Sequence, residues 1–230
     1  NINNPKKSTT VLNGTSLLHP NFNQKNKELV FAELKSNANI VIKKRNNVNS
    51  ATIITELKSS KFEREVVFAN NGQFIIYIRL LANGSELWLY DLAKHQHQRL
   101  VKPNKALFKH ISISPDDSKI TLISVINSES SIQIYDIAKQ HFFKLSTPGI
   151  KKPLNPSWAS DSKTVLFTAK DKEKWQIWRS SADNSTLTLL TEQGGNVVVE
   201  DKIGENLYFS RHSEAGIWQL PLRNLQTTPQ

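Results

Sequence analysis

Two histidines flank one glutamine at His95-Gln96-His97, and in an extended backbone that spacing puts both imidazoles on one side of the chain. Two imidazoles are half of a metal site. A catalytic zinc takes three protein ligands, and neither a third histidine nor a carboxylate adjoins the pair. Four aspartates recur at matched positions, Asp91 with Asp136 and Asp116 with Asp161, each pair 45 residues apart. Paired carboxylates serve general acid–base chemistry, but a position that repeats points to a job that repeats. An aspartate at a strand end or in a tight turn accepts nearby amide hydrogens, and this is the role expected here. Lys43-Lys44-Arg45 is the densest basic cluster and a candidate contact for an anionic partner. It lacks the interleaved aromatics that stack nucleic-acid bases, and a solvated hairpin tip is the alternative reading. The chain has no cysteine, which excludes disulfides, thiolate metal sites and cysteine nucleophiles. It also lacks a Gly-x-Ser-x-Gly elbow and a phosphate-cradling glycine loop. The expectation is a chain without catalytic residues, metal ligands or cofactor, and not an enzyme.

The elements that carry these residues are written several times over. Phe22-Asn23-Gln24-Lys25, Phe68-Ala69-Asn70-Asn71, Ile113-Ser114-Pro115-Asp116 and Trp158-Ala159-Ser160-Asp161 begin 46, 45 and 45 residues apart. Each precedes a short apolar run: Leu29-Val30-Phe31, Ile75-Ile76-Tyr77, Ile120-Thr121-Leu122 and Val165-Leu166-Phe167. Within the third repeat, Phe108 to Ile113 alternates as a half-buried strand and Ser114-Pro115-Asp116-Asp117-Ser118 turns. Ile120 to Val125 is apolar on both faces, Ile132 to Asp136 alternates again, and Phe142 to Leu145 closes the unit. A β-rich unit of this period predicts a propeller of four-stranded blades. The fold expected is all-β, a β-propeller of about five blades in one domain over 9–222. Its repeats lie near 17–58, 62–103, 107–149, 153–194 and 196–222. The fifth repeat has no fourth strand after Leu220, and Thr9-Thr10-Val11-Leu12 is the candidate that completes it and closes the fold. Residues 1–8 and 223–230 read as flexible tails. Of five tryptophans, Trp88, Trp178 and Trp218 fall on equivalent third strands and Trp158 on a first strand, as packing residues; Trp175 adjoins the charged hairpin Lys170 to Lys174 and is expected to be exposed.

These repeats resemble the TolB-type, WD-like propeller repeat. The resemblance rests on Ile113-Ser114-Pro115-Asp116-Asp117-Ser118-Lys119 and Trp158-Ala159-Ser160-Asp161-Ser162-Lys163 as the first turn. Leu87-Trp88-Leu89-Tyr90-Asp91-Leu92 matches the third strand, and Leu189-Leu190-Thr191-Glu192-Gln193-Gly194 the close. It covers residues 9 to 222, and the first repeat departs from it with Gln24-Lys25-Asn26 in the turn. The resemblance implies a periplasmic, non-catalytic interaction or sensing domain. The leading expectation is the outer domain of a bacterial membrane-anchored winged-helix transcription regulator. The alternatives are a soluble periplasmic TolB-like protein of cell-envelope transport and the propeller of a prolyl-oligopeptidase-type hydrolase. The partner expected is a protein or small-molecule signal, with no direct nucleic-acid binding by this domain.

Composition agrees with a globular domain: 38% hydrophobic and 22% charged residues leave enough apolar material for a core. No apolar run reaches the roughly 20 residues of a membrane span. Without methionine the chain is expected to be an excised or processed piece, with any membrane anchor upstream. The net charge of +10 is skewed, since residues 1–64 hold eleven Lys/Arg against four Asp/Glu. Such a skew steers anionic partners or simply keeps the surface solvated.

Overall fold

In a computed structural model the protein is a five-bladed, all-β propeller. The structure describes residues 17–23, 25–34, 38–47, 50–57, 61–103, 105–211 and 214–222. The strand expected at 9–12 and the tails lie outside the described residues. By packing, the described residues divide into two compact units, those up to 81 with 87–98 and those of 82–86 with the described residues from 99 on.

The first blade is the antiparallel sheet β1 (Leu17–Asn23), β2 (Glu28–Leu34), β3 (Ala38–Asn47) and β4 (Ser50–Leu57). The second is β5 (Phe62–Phe68), β6 (Phe74–Leu81), β7 (Gly84–Asp91) and β8 (Gln96–Val101). The third is β9 (Leu107–Ile113), β10 (Lys119–Ile126), β11 (Glu129–Asp136) and β12 (His141–Lys144). The fourth is β13 (Leu154–Trp158), β14 (Thr164–Asp171), β15 (Lys174–Ser181) and β16 (Leu187–Leu189). The fifth shows three strands among the described residues, β17 (Val198–Glu200), β18 (Asn206–Phe209) and β19 (Trp218–Pro221). Each sheet runs in sequence order, so every strand pairs with its neighbours along the chain within the blade.

The second strands of the second, third and fourth blades carry a buried, largely apolar centre because they are covered on both faces there. In β14, Val165, Phe167 and Ala169 pack with Ile123, Ile132 and Ile134 of the third blade. Leu166, pointing the other way, packs with Val198, Leu207 and Phe209 of the fifth. A period of two thus sends alternate residues to opposite neighbours. In the first unit, Val30, Ile40 and Ile42 likewise meet Val66, Phe68, Ile75 and Tyr77.

The blades are also stitched by side chains reaching into the next repeat. The Phe68 amide donates to Asn21 Oδ1 at 3.0 Å, the Asp116 amide to Ser162 Oγ at 3.1 Å, and Ser157 Oγ to the Val198 carbonyl at 3.1 Å. Glu200 Oε1 accepts from the Ser160 hydroxyl at 2.7 Å. Gly84 holds a φ of +138°, and a Cβ there would sit 2.9 Å from the Lys105 amide nitrogen, so only glycine fits this approach.

One feature departs from simple alternation. The first strands of four blades, β1, β5, β9 and β13, carry register shifts with a left-handed residue at each, His19, Glu65, His110 and Asn155. These are β-bulges, one extra residue opposite one partner. In β9 the bulge makes Phe108 the fully buried residue, while Ile111 and Ile113 are half-buried.

Candidate functional site

An antiparallel meander brings its first and third turns to the same end of a sheet. In the fourth blade these are the β13–β14 turn and the β15–β16 turn. Together with the start of β10 and with β12 of the third blade, they enclose a cavity of about 410 Å³. That volume falls within the range of small-molecule pockets. Its lining is Phe143 and Ala182 as apolar wall, with Lys119, Ser162, Lys163, Ser181, Asp183 and Asn184 around them.

Local chemistry fixes each turn. Asp161 accepts the Lys163 and Thr164 amides, both at 2.8 Å, and the Thr164 hydroxyl at 2.7 Å. Asp183 accepts the Ser185 amide at 3.0 Å. Hydrogen bonds from that amide and from the Ser181 and Ser185 hydroxyls hold the Asp183 carboxyl down, from the ordinary 3.8 to about 2. Asn184, in the left-handed region, accepts the Ser146 amide at 2.7 Å and so ties the turn to the third blade. The Lys119 ammonium bonds Ser118 Oγ at 3.1 Å and faces the carboxylates of Asp116 and Asp136. Lys163 is exposed, and its ammonium has no hydrogen-bond or ion-pair partner among the described residues. The cavity therefore offers hydrogen-bond donors, while its acceptors are engaged in the turns.

The repeated aspartates all take turn roles. Asp91 accepts the Ala93 and Lys94 amides at 3.0 and 2.8 Å, and Asp136 the Lys139 amide at 2.9 Å. Those amide bonds lower both carboxyls. In Asp116 and Asp161 partial burial works upward, but hydrogen bonds from Ser114 and Ser118, and from Lys163 and Thr164, outweigh it. A general acid at neutral pH needs the opposite shift.

The histidine pair lies in the second blade beside an ionic and aromatic cluster. Tyr77 OH is 2.9 Å from His97 Nδ1 and Tyr90 OH 3.1 Å from His95 Nδ1, so each imidazole already has a tyrosine partner. Behind them Glu63, buried in β5, accepts from Arg79 of β6 at 2.8 Å, and the Arg79 guanidinium lies 4.3 Å from the Trp88 ring centre. Desolvation lowers the His97 pKa, and Arg79 adds to this while Glu63 opposes it. No group of three or more His, Cys, Asp or Glu side chains suited to a metal ion occurs among the described residues.

The basic cluster sits within a strand, not at a tip. Lys43 and Lys44 pair with Leu29 and Glu28 of β2 and with Ile53 and Thr52 of β4, and Arg45 pairs with Ala51. The Lys43 ammonium lies 5.5 Å from the Phe31 ring centre, and Lys44 is exposed. The cluster belongs to the first compact unit and the cavity residues to the second. Trp158 is buried, and Trp88, Trp178 and Trp218 pack against apolar clusters. Trp175 is half-buried rather than exposed, with the Lys170 ammonium 5.9 Å from its ring centre. Sequence reading missed the cavity residues: Lys119, Ser162 and Lys163 stand there as ordinary members of the repeated turn. The available signal was Asn184, an asparagine after an aspartate in the third turn of one repeat only.

Solved structures share this architecture. The putative TolB from Agrobacterium tumefaciens superposes with a TM-score of 0.69 at 16% identity, over 84% of this chain and 69% of its own. TolB from Acinetobacter baumannii gives a TM-score of 0.72 at 14% identity, over 94% of this chain. A chain of a nidogen/laminin complex gives 0.69 at 10% identity, over 90% of this chain and 76% of its own. The fold is TolB-like. At these identities the likeness is one of fold, and the chain spans 54% of the length of the Acinetobacter protein. No family model matches the sequence, and neither does any curated protein.

Proposed function

We propose that this propeller is a non-catalytic recognition domain of the bacterial periplasm, the sensing domain of a membrane-anchored transcription regulator. The observation that carries the reading is the contrast at the blade ends. The repeated carboxylates are bound into turns and held ionised, while the cavity between the third and fourth blades keeps unengaged donors. A rigid scaffold with an open, donor-lined hollow at its loops suits recognition rather than turnover. The TolB-like fold supports a second reading, a soluble periplasmic protein of the cell envelope.

Alkaline phosphatase fused after Gln230 in the full-length protein should be active, and it should fractionate with the inner membrane. Activity in the soluble periplasmic fraction selects the second reading, and an inactive fusion removes both. Purified chain should turn over no peptide, ester, phosphate or glycoside substrate. Turnover abolished by Asp116→Asn or Asp161→Asn would overturn the non-catalytic assignment.

A further inference from the structure

We propose that the cavity bounded by β12, the β13–β14 turn and the β15–β16 turn binds a monoanionic small molecule, a carboxylate carried on a compact apolar body. The inference rests on the recognition reading above and names the ligand class of that site. Donor and acceptor accounting leads to it. Asp183 is taken up by Ser185 and Ser181, and the Asn184 carbonyl oxygen by the Ser146 amide. Ser181 Oγ accepts the Thr186 amide at 2.9 Å and shares a hydrogen with Ser185 Oγ at 3.0 Å. Ser162 Oγ accepts the Asp116 amide, which leaves its own hydrogen to donate. Lys163 brings three donors and Lys119 those not used on Ser118. A ligand that only accepts is therefore the complement.

Charge sets its valence. Lys119 acts on two carboxylates, Asp116 and Asp136, and Lys163 on one, Asp161, which Thr164 and two turn amides already hold, so Lys163 is the less offset of the two ammonium groups. The ionised Asp183 on the lining disfavours a dianion by like-charge repulsion. Phe143 and Ala182 form the apolar wall, against which a hydrocarbon body is desolvated while its carboxylate meets Lys163 and Ser162.

Calorimetric titration of the full chain with 3-phenylpropionate, 3-phenylpropan-1-ol, acetate and phenyl phosphate tests this, with melting temperature followed for each variant. The acid should bind saturably at one site. The neutral alcohol, which lacks the charge, and acetate, which lacks the body, should each bind at least about tenfold more weakly. Phenyl phosphate should bind more weakly than the acid. Lys163→Gln should weaken the acid about tenfold with melting unchanged, and Ser162→Ala should weaken it less, with a small loss of melting temperature from the lost Asp116 bond. The proposal is wrong if the alcohol or the phosphate binds as well as the acid, or if Lys163→Gln leaves its affinity alone. Absence of saturable binding up to roughly 10 mM overturns it too. That last result, with no turnover of any substrate, removes the ligand class and leaves the recognition reading standing. Turnover removes the recognition reading itself.

Discussion

Arg79 and Glu63 oppose each other across β5 and β6, with Glu63 almost fully buried and Arg79 stacked on Trp88. A buried pair gives modest net stability, but removing one partner strands the other charge away from water. Arg79→Met should therefore lower unfolding free energy by about 3 kcal/mol in a urea titration. The double variant Arg79→Met/Glu63→Leu should recover much of that loss. Acid sensitivity follows from single residues as well. Asp116, Asp161 and Asp183 have folded-state pKa values below their unfolded ones, so each adds stability above 3.8 that is lost as pH falls through the folded value, about 2 for Asp183. His97 shifts the same way: its contribution is complete above 6.5 and erodes below it. Melting temperature should hold level above pH 6.5, begin to decline below it, and drop most steeply between 4 and 2. His97→Gln should remove the early decline and Asp183→Asn part of the late one. A melting curve flat to pH 3 would contradict both assignments.

At the scale of the element, the bulged first strands are the feature that alternation alone could not reveal. His19, Glu65, His110 and Asn155 keep the repeat spacing, but none is the glycine that usually marks a left-handed position. The turns and apolar second strands were legible because proline, aspartate and unbroken Ile/Val/Leu runs carry those geometries themselves. A bulge is dictated by the strand's neighbours and leaves no such mark. His19 is exposed with a φ of +51°, so His19→Gly should raise stability by up to about 1 kcal/mol, and β-branched His19→Val should lower it by about 1–2. Equal melting of the two variants would argue against the bulge. The basic strand gives a second test. Lys44 is exposed while Lys43 lies over Phe31, so Lys44→Glu should leave melting unchanged and Lys43→Glu should cost about 0.5–1 kcal/mol. The candidate site was less legible than the strands. Its side chains come from two turns of the fourth blade and two strands of the third, and only the stacking of these blades makes them neighbours.

For the whole molecule, a net charge of +10 concentrated in residues 1–64 sets how the protein meets charged surfaces. Lys44→Glu/Arg45→Glu should elute from heparin at lower salt than the unaltered chain while melting at the same temperature. An unchanged elution point would show that the cluster takes no part in anion contact. The stitches between blades carry a different message. Asn21 to Phe68 and Asp116 to Ser162 each join residues 47 and 46 positions apart, close to one repeat length. Donor and acceptor therefore belong to successive copies of one sentence, the donor in the later copy at Phe68 and in the earlier copy at Asp116. A tandem duplication of such a unit arrives with its fastenings already cut to size. Lineages of this architecture can change in size by whole copies, through slippage of the gene, without inventing a new joint.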